Sequence, residues 1–136
     1  MSYPATTSYK DLIVWQKSID LVAQLYELTR KFPKEEIYGI TSQMRRSAIS
    51  IPSNIAEGRT RGTKKDYLQF LRVAYGSGAE LETQIIICKR LFGTKDFDYT
   101  NIDMLLGEVM RMMNAMIRKM NPAKANAANA ANEAIS

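Results

Sequence analysis

Apolar residues recur along most of this chain at steps of three and four. Ile40, Met44, Ala48, Ile51 and Ile55 do so without a gap, which places them on one face of a helix. Within the same stretch, Pro52 removes a backbone donor and crowds the carbonyl of Ala48, so a kink is expected there. Gly58 is read as the end of the helix, and Glu57 has the four-residue spacing to pair with Arg61 if the helix runs on. An earlier helix follows Ser8 or Asp11 as cap, with a face of Trp15, Ile19, Val22, Tyr26 and Thr29 widened by Leu21, Leu25 and Leu28, and it stops at Phe32-Pro33.

Two further helices follow in the pattern. Gly62 permits a turn, and Thr63 with Asp66 has capping-box spacing ahead of Tyr67, Phe70, Leu71, Ala74, Gly78, Leu81, Ile85, Cys88 and Phe92. That stretch of about 30 residues spans roughly 45 Å at the helical rise and is the longest element. Its interior glycines, Gly76 and Gly78, each cost about 1 kcal/mol against alanine, so the close approach of another backbone is expected there. Gly93-Thr94 ends this helix. Thr100 and Asp103 repeat the capping-box spacing before Ile102, Leu106, Val109, Met113, Met116 and Met120, and Asn121-Pro122 closes the fourth helix.

Four amphipathic segments on short connectors predict an all-α, up-down-up-down antiparallel four-helix bundle over residues 9–121, with an arm at 1–8 and an Ala/Asn-rich low-complexity tail at 122–136. The apolar surface is broader than one such core requires. Val14, Leu21, Ile86, Ile87, Met110 and Met112 lie off the main stripes, and breadth of this kind favours burial between subunits.

Composition changes the picture mainly by exclusion. At 136 residues the chain is one domain, and no apolar run approaches the roughly 20 residues a membrane span needs. With no recognisable secretory signal and one cysteine, Cys88, a cytoplasmic protein without disulfides is expected. The absence of histidine removes imidazole acid/base chemistry, Ser/His/Asp and Cys/His nucleophiles and imidazole metal sites. No catalytic residue, metal site or cofactor is expected, and the reading is non-enzymatic.

Charge points to a partner. Of 19 basic and 14 acidic residues, the window from Arg45 to Arg72 holds Arg45, Arg46, Arg59, Arg61, Lys64, Lys65 and Arg72 against only Glu57 and Asp66. The whole formal excess of +5 therefore gathers around the connector between the second and third helices. A local basic patch suits a phosphate backbone of RNA or DNA; the plainer reading is a solvated loop. Arg45, Asn54, Glu57 and Glu80 form either a functional polar cluster or a network that fixes helix register, and the structural role is the reading adopted. Tyr67 and Tyr75 are read as core rather than base-stacking residues, the methionines of the last helix as core filler, and Cys88 as inert.

Several stretches together carry a resemblance. Leu12 to Lys17 (LIVWQK), Gln43 to Ala48 (QMRRSA), Ile51 to Gly58 (IPSNIAEG) and Phe70 to Ser77 (FLRVAYGS) resemble the four-helix-bundle family of 23S rRNA intervening-sequence proteins, over roughly residues 9 to 120. The accessory variability proteins of diversity-generating retroelements are similar to that family. The resemblance implies a homopentameric assembly and, for those relatives, binding of nucleic acid and of a reverse transcriptase through basic surface residues. Two functions are thus carried forward: an oligomeric nucleic-acid-binding protein using the patch, and a protein-interaction scaffold or accessory factor, for example for a reverse transcriptase.

Overall fold

The computed structural model describes residues 8–121. Four helices, α1 (Ile13–Thr29), α2 (Ile40–Thr60), α3 (Lys64–Phe92) and α4 (Thr100–Met120), form a four-helix bundle, with single 3-10 turns at Tyr9–Asp11 and Lys34–Glu36. No strand occurs among the described residues. α1 packs against α2 and α4, and α3 packs against the same two, so each helix has two neighbours around one core. No helix is long and apolar enough to cross a membrane among the described residues. The expected arm and tail fall almost wholly outside the described residues.

Three of the four expected stripes are the buried ones. Met44, Ala48, Ile51 and Ile55 of α2 are fully buried, as are Leu71, Ala74, Leu81 and Cys88 of α3 and Val109 and Met113 of α4. α1 differs. Its core stripe is Val14, Ser18, Leu21, Leu25 and Leu28, while Trp15, Val22 and Tyr26 sit at its edge and Ile19 is exposed. The α1 sequence carries two overlapping three-four stripes, and only the positions of α2 and α4 on either side select which one points inward.

α2 passes through Pro52 unbroken. The ring costs one backbone hydrogen bond, to the carbonyl of Ala48. Just outside it, Ser53 Oγ donates to the Ile49 carbonyl at 2.8 Å and Asn54 Nδ2 to the Ser50 carbonyl at 2.8 Å, adding side-chain bonds to the preceding turn. Gly58 does not end the helix. It lies inside α2 at the closest approach of α2 to α3, where a Cβ would fall 2.7 Å from Phe70 Cβ and 3.3 Å from Tyr67 Cα. The absence of a side chain there serves packing rather than a turn. The turn belongs to Gly62 at φ +85°, and Thr63 Oγ1 then accepts from the Asp66 amide at 3.2 Å to cap α3.

At the start of α4 the expected Thr100–Asp103 cap is not the one used. Asp98 Oδ1 accepts from the Thr100 amide at 3.0 Å, and Asp103 instead pairs with Lys89 Nζ of α3 at 2.6 Å. A carboxylate one turn into a helix can satisfy either a cap or a neighbouring helix, and the nearby lysine draws it outward. Gly78 does meet the close approach expected of it, since a Cβ there would collide with Met110 Sδ of α4. Gly76 does not; nothing lies within 4 Å of its missing side chain.

Candidate nucleic-acid interface

The connector between α2 and α3 carries four basic residues within seven positions, Arg59, Arg61, Lys64 and Lys65. α2 continues one residue past Arg59 to Thr60, and that extra half-turn decides what each cation does. Arg59 lies four residues after Ile55, so it falls on the inward stripe and is only 8 % exposed. It is therefore withdrawn from the expected solvent-facing set. Arg61, two positions on, points outward: its Nη2 pairs with Glu57 Oε1 at 2.8 Å, and its guanidinium rests 5.2 Å from the Phe70 ring centre. The pair is half exposed and so contributes little to stability. Lys64 is half-buried at the first position of α3, Lys65 is exposed beside it, and Arg72 is exposed two turns further along.

Arg45 and Arg46 do not join this group. Arg45 sits 14 residues before Arg59, roughly 21 Å along the helix axis. Its Nε donates to Thr29 Oγ1 at 3.0 Å and its guanidinium lies 4.3 Å from the Tyr26 ring centre, which makes it a tie between α1 and α2. Thr29 in turn donates to the Leu25 carbonyl at 2.8 Å, so the tie is anchored on the α1 backbone. Arg46 is exposed on the outer face at the same level. The seven cations of the expected patch thus divide into an end group (Arg61, Lys64, Lys65, with Arg72 nearby), a buried arginine and a remote pair.

The four polar residues read as one cluster divide in the same way. Glu80 Oε1 accepts from Ser47 Oγ at 2.9 Å and from Gln84 Nε2 at 3.4 Å. Asn54 Nδ2 bonds Ser50 Oγ at 2.9 Å, and Ser50 Oγ shares a hydrogen with Ser77 Oγ at 2.7 Å. Glu57 belongs to Arg61. The residues that join α2 to α3 are therefore Ser47, Ser50, Asn54, Ser77 and Glu80, a polar seam along one flank. Ser47, Ser50 and Asn54 are spaced three and four apart, a pattern visible in the sequence once the serines are counted with the amide.

The remaining candidates are packed. Tyr67 is buried, and Tyr75 is half-buried against the core. Met113 is fully enclosed, Met110, Met112, Met116 and Met120 pack against the core from its edge, and Met104 is exposed. Cys88 is fully buried with its Sγ 3.3 Å from Met44 Sδ, and burial, with Glu36 adding a smaller effect, pushes its thiol up to about 11. It stays protonated and unreactive near neutral pH.

Between α1 and α2, at the same end as Arg61, Trp15, Ile19, Val22, Ile49, Pro52 and Ala56 line an open apolar groove of about 300 Å³. On α3, Ile86, Ile87 and Leu91 stand 56 %, 42 % and 65 % exposed. Among the described residues, nothing covers either surface.

No curated protein matches the chain. A family model, described as 23S rRNA-intervening sequence protein, matches residues 10–115, from the turn before α1 through most of α4. The match takes in all the helices that build the α2–α3 connector and its polar seam, and on this ground the chain belongs to the 23S rRNA-intervening sequence protein family.

Proposed function

We propose that this protein is a non-enzymatic, oligomeric nucleic-acid-binding protein that holds a phosphate backbone at the end of the bundle formed by the α2–α3 connector. The observation that carries this reading is the outward group of Arg61, Lys64 and Lys65 around Gly62, where a positive φ turns the chain and the first turn of α3 presents its amides. Helix starts favour anions, and lysines and arginines beside one add a sequence-independent attraction for phosphates.

An up-down-up-down antiparallel arrangement is part of the same proposal. Ser47 meets Glu80 and Ser50 meets Ser77 between α2 and α3, and Lys89 meets Asp103 while Gly78 meets Met110 between α3 and α4, so in both pairs of helices one residue number falls as the other rises, which supports that arrangement. That order brings the start of α1 and the end of α4 to the same end as the connector. The two exposed apolar surfaces lie on different helices, and two unlike sticky faces support a closed ring of copies rather than a simple dimer. A ring repeats the cationic end in each subunit.

The test is direct. Binding of a fluorescent RNA hairpin and of a DNA duplex is measured by anisotropy for the full chain and for an R61A/K64A/K65A variant, at low and at moderate salt. The proposal expects affinity that falls steeply with salt and a loss of at least tenfold in the variant, with an unchanged far-ultraviolet circular dichroism spectrum. Undiminished binding by the variant rules out this patch.

A further inference from the structure

The strongest unassigned surface is the outer side of the α3–α4 pair. Lys65 and Arg72 on α3 are seven residues apart, as are Arg111 and Arg118 on α4, so each pair shares one helical face about 10 Å apart along its axis. All four side chains are exposed. Among the described residues none of them enters an ion pair.

The contact of Gly78 with Met110 sets the two helices level with each other. Arg111 follows Met110 directly. Arg72 lies six residues from Gly78, roughly 9 Å, and Arg118 eight residues from Met110, roughly 12 Å, in the same direction along the bundle. Between residues 67–79 of α3 and 109–121 of α4 there is no carboxylate at all, whereas beyond them come Glu80, Glu82, Asp103 and Glu108. The acid-free half therefore carries three outward cations, Arg72, Arg111 and Arg118, with Lys65 just outside it beside Asp66; Arg111 borders Glu108, a carboxylate that Lys17 already pairs with.

Its relief is also distinctive. Gln69, Gly76, Ala79 and Thr83 share the outward α3 face with Lys65 and Arg72, all exposed and none large and apolar, with Val73 at the side and Ile86 and Ile87 one turn beyond Thr83. Gly76 has no packing role within the chain, since nothing lies within 4 Å of its missing side chain. A helix accepts an interior glycine at a cost, and the bare backbone there leaves room for a ligand to come close. A surface that is cationic, low and polar suits a phosphodiester chain. A lipid bilayer calls instead for large apolar side chains among the cations, whereas on α3 Ile86 and Ile87 stand in the other half, more than two turns from Arg72.

We propose that Lys65, Arg72, Arg111 and Arg118 form a backbone-binding track along the outer face of α3 and α4, continuing from the connector group, for double-stranded nucleic acid read by its phosphates alone. This rests on the nucleic-acid reading above and extends it from Lys65 and Arg72 to Arg111 and Arg118, which the connector does not supply.

The experiment uses the full chain and a mixed-sequence 20-base-pair RNA duplex, with three variants: R72Q/R111Q/R118Q in the track, R61A/K64A at the connector, and K31Q/K34Q/K95Q at the opposite end as a control of equal charge loss. The track variant is expected to bind at least tenfold more weakly, and its salt dependence to flatten by about 0.9 in the log–log slope per lost phosphate contact. The control is expected to change little. Equal loss in track variant and control means net charge alone is sensed and overturns the track. Loss at the connector with an unaffected track variant overturns the track and leaves the connector reading intact. Wild-type protein that binds no nucleic acid, or that partitions onto phosphatidylserine vesicles instead, overturns both.

Discussion

Gly58, Gly76 and Gly78 all lie inside helices, yet their surroundings assign them three different roles. At Gly58 the atoms a methyl group would meet are Phe70 Cβ and the Tyr67 backbone, neither of which moves without shifting α3. Gly58→Ala is therefore expected to destabilise the fold by about 1–3 kcal/mol, the usual cost of overpacking. At Gly78 the obstacle is the thioether of Met110, a flexible side chain that is able to swing away. At Gly76 there is none, and Gly76→Ala is expected to stabilise by about 0.5–1 kcal/mol through helix propensity. Urea denaturation of the three alanine variants checks the order: Gly58 worst, Gly78 between, Gly76 better than wild type. A Gly58 variant as stable as wild type would remove the close α2–α3 approach as the reason for that glycine. Of these residues the sequence marks only the anomaly, glycine in a helix. The atoms opposite, which decide its cost, come from elements remote in the chain.

Helix starts show how far local signals reach at the next scale. Thr63 caps α3 through the Asp66 amide as its spacing implies, because both lie within four residues. The Ser8–Asp11 pair, expected as a cap of the first helix, closes only the 3-10 turn at Tyr9–Asp11, and α1 begins after Leu12 with no side-chain cap. At α4 two carboxylates compete for one role, and Asp98 takes it. The Thr100 hydroxyl and amide both hold the Asp98 carboxyl below its usual range, with Lys31 adding a smaller effect. A depressed pKa means stability that is present above the unfolded value of 3.8 and lost as pH falls through the lower folded value. Asp98→Ala is expected to lower the melting temperature at pH 7, and the gap to wild type to close as the pH falls below that window. A constant gap across that range would mean that the charged cap is not what Asp98 contributes. Asp103→Ala acts through the exposed tie to Lys89 and is expected to cost less. The same scale explains Arg59. Carrying α2 two residues past Gly58 rotates this arginine inward, an outcome the local glycine signal argued against.

For the whole molecule, apolar surface left uncovered is the main feature. The groove of Trp15, Ile19, Val22, Ile49 and Pro52 and the α3 face of Ile86, Ile87 and Leu91 lie on opposite layers of the bundle. Both are expected to be covered in an assembly of copies. Light scattering should give a mass several times 15.4 kDa, and Ile49→Glu, which puts a charge at the groove of every copy, should lower it. A wild-type mass of 15.4 kDa would sink the assembly.

The sequence by itself determined that this chain is helical, how many helices it forms, roughly where each begins, and which faces of α2, α3 and α4 are buried. Those properties follow from three-four periodicity and from caps whose partners are near neighbours in the chain. The family, too, was legible, because its motifs lie on those helices. Only the tertiary structure decided which of two stripes on α1 faces inward, that Gly58 packs while Gly62 turns, that Arg59 is buried and Arg45 bound to Tyr26 and Thr29, and that α4's arginines come level with those of α3. The physical reason is common to all of them. Each depends on atoms brought within a few ångströms by helices far apart in sequence, and a pattern along one helix holds no information about which neighbour will stand against it.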